Sequence, residues 1–351
     1  MTRWLSMLLL AGFAVPAWAQ KVETIRFGWC SRSLNSAVAP FAVAEKLGWY
    51  RQAGFHIEPV PMNGSIDCTK NVATGEVRYA VASIEPLAIL RPQGVKVINF
   101  YTAYQGNVYG LAVPEDSPIQ TVADLRGKRI GVTSMASGGV IVARALVANA
   151  GMNPDRDVRI VVAGEGAQTA SLLRTKEVDA LSQFDTTYAL AINAGAKLRF
   201  LDANKTIAKF PSNGIIALEE TLKTRRAEAV ALARGYAMAT IFTIANPEAA
   251  VRMLYEVYPQ TKPTGKDEAT AIREDVATIQ ARAPNWRLEA GGVSRWGESS
   301  LANYDDYIDF LVKWGVIKQR VPASELVTND LLDEIDRFDP AAITAQAKAY
   351  K

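Results

Sequence analysis

Thr24-Ile25-Arg26-Phe27-Gly28-Trp29, an amphipathic stretch over residues 37–51, Gly54, and Phe55-His56-Ile57-Glu58-Pro59-Val60 follow one another near the start of the chain. The outer two are apolar runs of strand length, and the middle one has helical spacing. Gly54 stands where helix gives way to strand, a left-handed position that glycine reaches without steric cost. The same strand–helix–glycine–strand order recurs downstream. Further strands are expected at 79–82, 95–101, 129–132, 159–162, 180–182 and 198–201. Further helices are expected at 138–149, 168–175 and 186–193, with Gly75, Gly151 and Gly195 at the junctions. Repeated βαβ units build a mostly parallel sheet, so the fold class is α/β.

After Pro211 the pattern becomes helical almost to the end. Residues 219–245 have apolar spacing of period 3.6. Asn246-Pro247-Glu248 reads as an N-cap with proline at the first helical position. The stripes Leu301, Tyr304, Ile308, Leu311, Val312 and Leu331, Leu332, Ile335, Phe338 read as core faces. Two extended segments, 108–113 and 214–218, bracket a compact α/β block and read as links between two lobes. One lobe is expected over 20–108 plus about 215–351 with the C-terminal helices. The other is expected over 109–214, with hinges near 108–113 and 203–216. Two lobes on two connections make a cleft, a common place for a small ligand.

The chain has 351 residues, a formal net charge of +3, 49% apolar and 21% charged residues. That is a globular balance with no electrostatic footprint for nucleic acid. Met1-Thr2-Arg3 followed by a short apolar run and Pro16-Ala17-Trp18-Ala19 reads as an export signal, cleaved after Ala19. Its apolar run is too short to span a bilayer. The protein is therefore expected outside the cytoplasm, in the periplasm. There two cysteines, Cys30 and Cys68, invite a bridge, although two separate thiols remain the alternative. With one histidine, His56, inside an expected strand, a zinc site built from His and Cys and most histidine-based catalysis are excluded. P-loop, Gly-x-Ser-x-Gly and His-Glu-x-x-His motifs are absent. Gly164-Glu165-Gly166 lacks the third glycine of a dinucleotide fingerprint. No catalytic residue, metal or cofactor is expected.

In open α/β sheets ligands bind beyond the carboxyl ends of the strands. That rule selects Trp29 and Ser31 after the first strand, Asn63-Gly64-Ser65 after the second, and Ser83 after the third. In the second lobe it selects Ser134, Ser137, Gly138 and Gly139, then Glu165, then Phe184 and Asp185. Tyr109 joins Trp29 as a surface for an apolar or planar portion. Free N–H groups at the start of the helix at Gly138 favour an anion. Each has a plainer alternative: Trp29 as core, the Ser-Gly loop as a helix cap, Glu165 and Asp185 as N-caps. Glu165 and Asp185 are also the only acid pair an exported enzyme on this fold could use.

Several segments resemble a known family. They are Pro40-Phe41-Ala42-Val43-Ala44-Glu45-Lys46-Leu47-Gly48-Trp49-Tyr50 with Ala53-Gly54-Phe55, the turn Asn63-Gly64-Ser65, Val122-Ala123-Asp124-Leu125-Arg126-Gly127-Lys128, and Lys176-Glu177-Val178-Asp179-Ala180. The chain resembles the periplasmic substrate-binding proteins of nitrate/sulfonate/taurine-type ABC importers, which are similar to thiamine-pyrimidine-binding proteins. The resemblance implies a two-lobed periplasmic-binding-protein fold of type II and a ligand site in the loops named above. It also implies a small-molecule ligand delivered by a monomer to an ABC permease with its ATPase. Pyrimidine binders carry Asn-His shortly after the tryptophan, whereas this chain has Asn35-Ser36, and the cysteine-rich motif of the related pyrimidine synthase is missing. A small organic anion, sulfonate- or carboxylate-like, is the expected ligand. A pyrimidine, an exported enzyme or a sensory binding protein are the alternatives.

Overall fold

The computed structural model describes residues 22–351; the expected signal peptide and its cleavage site lie outside the described residues. Ten strands are present among the described residues: β1 (Glu23–Trp29), β2 (Phe55–Pro61), β3 (Tyr79–Ser83), β4 (Val97–Thr102), β5 (Tyr109–Pro114), β6 (Arg129–Val132), β7 (Arg159–Val162), β8 (Ala180–Phe184), β9 (Leu198–Phe200) and β10 (Asn213–Leu218). They form two five-stranded sheets, ordered β2-β1-β3-β10-β4 and β7-β6-β8-β5-β9. In the first, β10 runs antiparallel to both β3 and β4, and the pairs β1–β2 and β1–β3 are parallel. In the second, β5 runs antiparallel to β8 and β9, while β6 pairs in parallel with β7 and β8.

Each sheet is therefore mostly parallel with one reversed strand next to the far edge, and the two orders are the same. The extended segments 108–113 and 214–218 each begin at or next to a passage between the sheets. Both are strands, and each is the reversed member of its sheet. The chain leaves the first sheet after β4 and enters the second through β5; it returns through β10. The connections that actually cross are the segments between β4 and β5 and between β9 and β10. Apolar extended sequence stopped by proline does not distinguish a link from a reversed strand, because both bury backbone and side chains alike.

The helices form where their spacing places them, with two breaks. The expected helix 37–51 divides into Ala39–Lys46 and Trp49–Gln52, because Gly48 turns left-handed at φ 77°. The stretch 219–245 divides at Arg225 into Glu219–Thr224 and Arg226–Ala245. Gly54, Gly75, Gly151 and Gly195 all have positive φ. Helix Arg226–Ala245 lies on helix Ala39–Lys46, with the rings of Phe41 and Tyr236 4.9 Å apart. Asn246 caps helix Pro247–Val257 by accepting from the Ala249 amide.

One C-terminal helix, Glu268–Trp286, decides how the lobes are joined. Its buried residues Ala271, Ile272, Thr278 and Ile279 sit in the main core. From the same helix the Glu274 carbonyl accepts from Asn193, and Arg282 reaches Asp185, both on the second lobe's helix Asp185–Asn193. Cys30 and Cys68 are bridged, tying the loop after β1 to helix Ser65–Ala73 across 38 residues of sequence.

Candidate ligand-binding cleft

The carboxyl ends of β1 and β8, with the middle of β3, border a cavity between the two sheets. Its lining comes from both lobes: Trp29, Ser31 and Val81 from the first; Tyr109 and Phe184 from the second; Tyr104, Val108 and Asn213 from the crossing segments and their ends; and Arg282 from the C-terminal helix. The cavity is small, about 20 Å³ in volume, and is partly open to solvent. Four of the lining residues are aromatic. Tyr109 and Phe184 meet edge to face at 5.9 Å. Trp29 is fixed by its indole N–H, which donates to the Ser33 carbonyl at 3.1 Å. It is both core and cavity wall: alternation along β1 puts Ile25, Phe27 and Trp29 on the buried face, and Trp29, as the last, reaches the cleft.

Arg282 is the one charged residue of the lining, and only 2% of it is exposed. Its Nε and Nη2 hold the Asp185 carboxylate at 2.7 and 2.5 Å, and Asn285 donates to the same carboxylate at 2.9 Å. The guanidinium lies over the Tyr104 ring, 4.0 Å from its centroid. Burial works against the Arg282 charge, but Asp185 outweighs burial and holds the group above its ordinary range. Asp185 thus acts on the cleft through Arg282. The cavity wall is electrically balanced rather than positive.

The loops at the cleft rim meet each other directly. Ser31 and Ser33 donate to Glu165 at 2.7 and 2.5 Å, closing the first lobe onto the second. Ser134 donates to the Asn63 carbonyl, and the Ile66 amide donates to the Ala136 carbonyl at 3.2 Å. Gly64, at φ 143°, permits this approach: a Cβ there would fall 2.5 Å from the Ala136 oxygen. Ser137 caps its own helix by accepting from the Gly139 amide. At Gly138 an added Cβ would strike the Tyr109 ring, and at Gly139 the Ser182 carbonyl. Tyr109 and the Ser182 carbonyl therefore pack closely against the start of the helix picked for an anion. Ser65 and Ser83 lie deeper, with the Ser83 amide donating to Ser65 Oγ at 3.1 Å.

Of the residues selected from the sequence, Trp29, Ser31, Tyr109 and Phe184 line the cavity. Glu165, Asn63, Gly64, Ser134, Ser137, Gly138 and Gly139 lie at the contact between lobes or behind it. Ser65, Ser83 and Asp185 stand one layer back. Tyr104, Asn213 and Arg282 were not legible: Arg282 lies 97 residues from its partner in a helix that reads as ordinary core. Glu165 and Asp185 do not face each other as an acid pair; each is taken up by other partners.

The profile of the NMT1/THI5-like family matches residues 35–250. The chain belongs to that family. It is 23% identical over 305 residues to the riboflavin-binding protein RibY of Chloroflexus aurantiacus, covering 85% of this chain and 83% of the relative. Its structure is similar to the alkanesulfonate-binding protein SsuA of Xanthomonas axonopodis pv. citri bound to MOPS, with a TM-score of 0.64, 16% identity, and 88% and 99% of the two chains covered. It is also similar to the periplasmic nitrate-binding protein NrtA of Synechocystis PCC 6803, with a TM-score of 0.62, 13% identity, and 94% and 99% covered. The family and the periplasmic-binding-protein fold expected from the sequence both hold.

Proposed function

We propose that the protein is the exported solute-binding component of an ABC importer, and that it captures a planar, ring-bearing solute in the cleft between its lobes for delivery to a permease. The observation that carries the ligand class is the cavity wall itself. Trp29, Tyr104, Tyr109 and Phe184 line one narrow space between the lobes. Aromatic pairs contribute about 0.5–1.5 kcal/mol each beyond the area they bury. A flat ring touching both lobes gains most of that only when the lobes are closed. A ligand can shift the lobes towards closure only through such differential contacts. The name of the relative RibY, with riboflavin as a planar heterocycle, supports the same class.

The organic anion expected from the sequence is the second reading. Arg282 and the likeness to the sulfonate binder SsuA favour it. Against it, Asp185 balances Arg282.

A thermal-shift screen on unfolded and refolded protein separates the two. A ligand at 100 times its dissociation constant adds about 2.7 kcal/mol, a rise of several degrees in Tm. Riboflavin, pteridines and pyrimidines are expected to include such a compound. A shift given by nitrate, taurine or methanesulfonate alone would sink the planar-ring reading and establish the anion.

A further inference from the structure

Ser83 and Glu85 are each 1% exposed, and the Ser83 hydroxyl and Glu85 Oε2 are both without a hydrogen-bond partner. Ser83 follows Val81 on the same face of β3, and it pairs in register with Asn213 of β10; Val81 and Asn213 both line the cavity. Glu85 opens helix Glu85–Leu90, and its Oε1 accepts from the Tyr307 hydroxyl at 2.5 Å. We propose that Ser83 and Glu85 set the hydrogen-bond polarity of the cleft: a neutral Glu85 donates its Oε2 proton to Ser83 Oγ, and Ser83 then offers its own hydrogen to the ligand. The ring bound there must present acceptors, carbonyl oxygens or unprotonated nitrogens, on the edge facing β3 and β10. This rests on the planar-ring reading above.

Two further groups on the wall point the same way. Asn213 Oδ1 is occupied by the Ser212 hydroxyl at 3.0 Å, leaving its NH₂ as a donor. Arg282 gives Nε and Nη2 to Asp185, leaving Nη1 as the end that Asp185 does not engage. Ser31 is the exception, since its hydrogen goes to Glu165.

The neutral state of Glu85 follows from its surroundings. The titratable groups that face it are Tyr307 and Tyr304 from helix Leu301–Lys313 and Tyr109 from β5, none of them cationic. Burial pushes its carboxyl up from the ordinary range, against the opposing hydrogen bond from Tyr307. Were Glu85 ionised, it would accept the Ser83 hydrogen. Ser83 would then turn a lone pair to the cleft, and the preference would invert.

The test uses two fluorescent rings of equal area and opposite polarity, lumazine (pteridine-2,4-dione) and 2,4-diaminopteridine, titrated against the mature protein. The dione is expected to bind about tenfold more tightly, the worth of about one well-made hydrogen bond. S83A should erase that preference. E85Q should keep it, because the Gln amide NH₂ still donates to Ser83 and its oxygen still accepts from Tyr307; E85A should not. Equal affinities in the wild type, or an S83A variant with its preference intact, would overturn the proposal. If neither ring binds, the planar-ring reading falls and the acceptor-edge ligand falls with it. The proton itself is read without any ligand, on an E45Q background because Glu45 also holds a proton near pH 7: the infrared carbonyl absorption of protonated carboxyl at pH 7 should fall by one group when E85Q is added. No such fall overturns the neutral Glu85.

Discussion

The two lobes meet at the back of the cleft and at its rim, and the two contacts are built from different chemistry. At the back, Arg282, Asp185 and Asn285 form a buried network stacked on Tyr104. At the rim, Ser31 and Ser33 reach a half-buried Glu165, and Ser134 reaches a backbone carbonyl. Separating the back would strand a guanidinium in a dry site, which costs several kcal/mol. Separating the rim returns hydroxyls and a carboxylate to water, where new partners are at hand, at about 1 kcal/mol per hydrogen bond. The back therefore has the properties of a pivot, and the rim those of a latch that ligand and solvent can compete for.

The largest test of this difference is D185A. It leaves Arg282 buried and unpaired, so unfolding free energy should drop by about 3–5 kcal/mol in a denaturant titration. D185N, which keeps the shape and a carbonyl acceptor for Arg282, should lose less. A drop below about 1 kcal/mol for D185A would mean that the back is no more tightly joined than the rim. Next in size is the bridge. Cys30 adjoins Trp29 of the cavity wall and Ser31 of the latch, while Cys68 lies on the helix whose Ile66 meets the second lobe. Closing a 38-residue loop stabilises by about 4 kcal/mol in the chain-entropy model. The C30S/C68S double variant should lose about 2–4 kcal/mol and should also bind ligand more weakly. An unchanged affinity at temperatures well below Tm would confine the bridge to stability.

The distinction between back and rim was only half legible in the sequence. Strand ends name the rim loops directly, because a loop after a strand in an α/β sheet has one place to go. Trp29, Ser31 and Phe184 were found this way. Arg282 was not, because a cation within a helix such as Glu268–Trp286 resembles the solvated face of any amphipathic helix until packing buries it. Asp185 was recognised by its position after β8, but its partner was not, and without the partner its charge was assigned to the ligand. The reversed strands β5 and β10 show the same limit at the level of the fold. Their composition identifies them as extended and buried, yet only the pairing registers say which sheet receives each.

A control for both contacts lies in the first lobe alone. Glu45, at the end of helix Ala39–Lys46, accepts from the Ile57 amide on the edge strand β2. Burial raises its carboxyl from the ordinary 4.5 to about 7, against the opposing hydrogen bond from Ile57. The folded state therefore holds this proton more tightly than the unfolded chain. The stability it contributes is complete below about pH 4.5 and is lost as pH rises through about 7. Allowing for its partial exposure, the change is on the order of 1–2 kcal/mol. E45Q keeps an acceptor for Ile57 and cannot ionise, so its Tm should exceed that of the wild type at pH 8 and match it near pH 4.5. A constant difference between the two proteins across that range would rule out this titration. A pH effect on ligand affinity that survives E45Q then belongs to the cleft and not to the lobe.

The smallest expected effect on stability is the most informative for function. E165A removes the acceptor shared by Ser31 and Ser33; Ser33 is exposed, and Ser31, though buried, lines a cavity partly open to solvent, so the loss in unfolding free energy should stay within about 1 kcal/mol. Its effect on closure should be clearer. Without the latch the ligand-free protein should spend more time open, giving a larger radius of gyration in small-angle scattering, while the ligand-bound form should still close on the back contact. Ligand should also enter and leave faster, since the latch must break on each passage. D185A is the counterpart, with a large loss of stability whatever the ligand. If E165A instead destabilises the protein as much as D185A does, or leaves the scattering of the ligand-free form unchanged, the rim is a structural joint like the back, and the cleft opens by some other route.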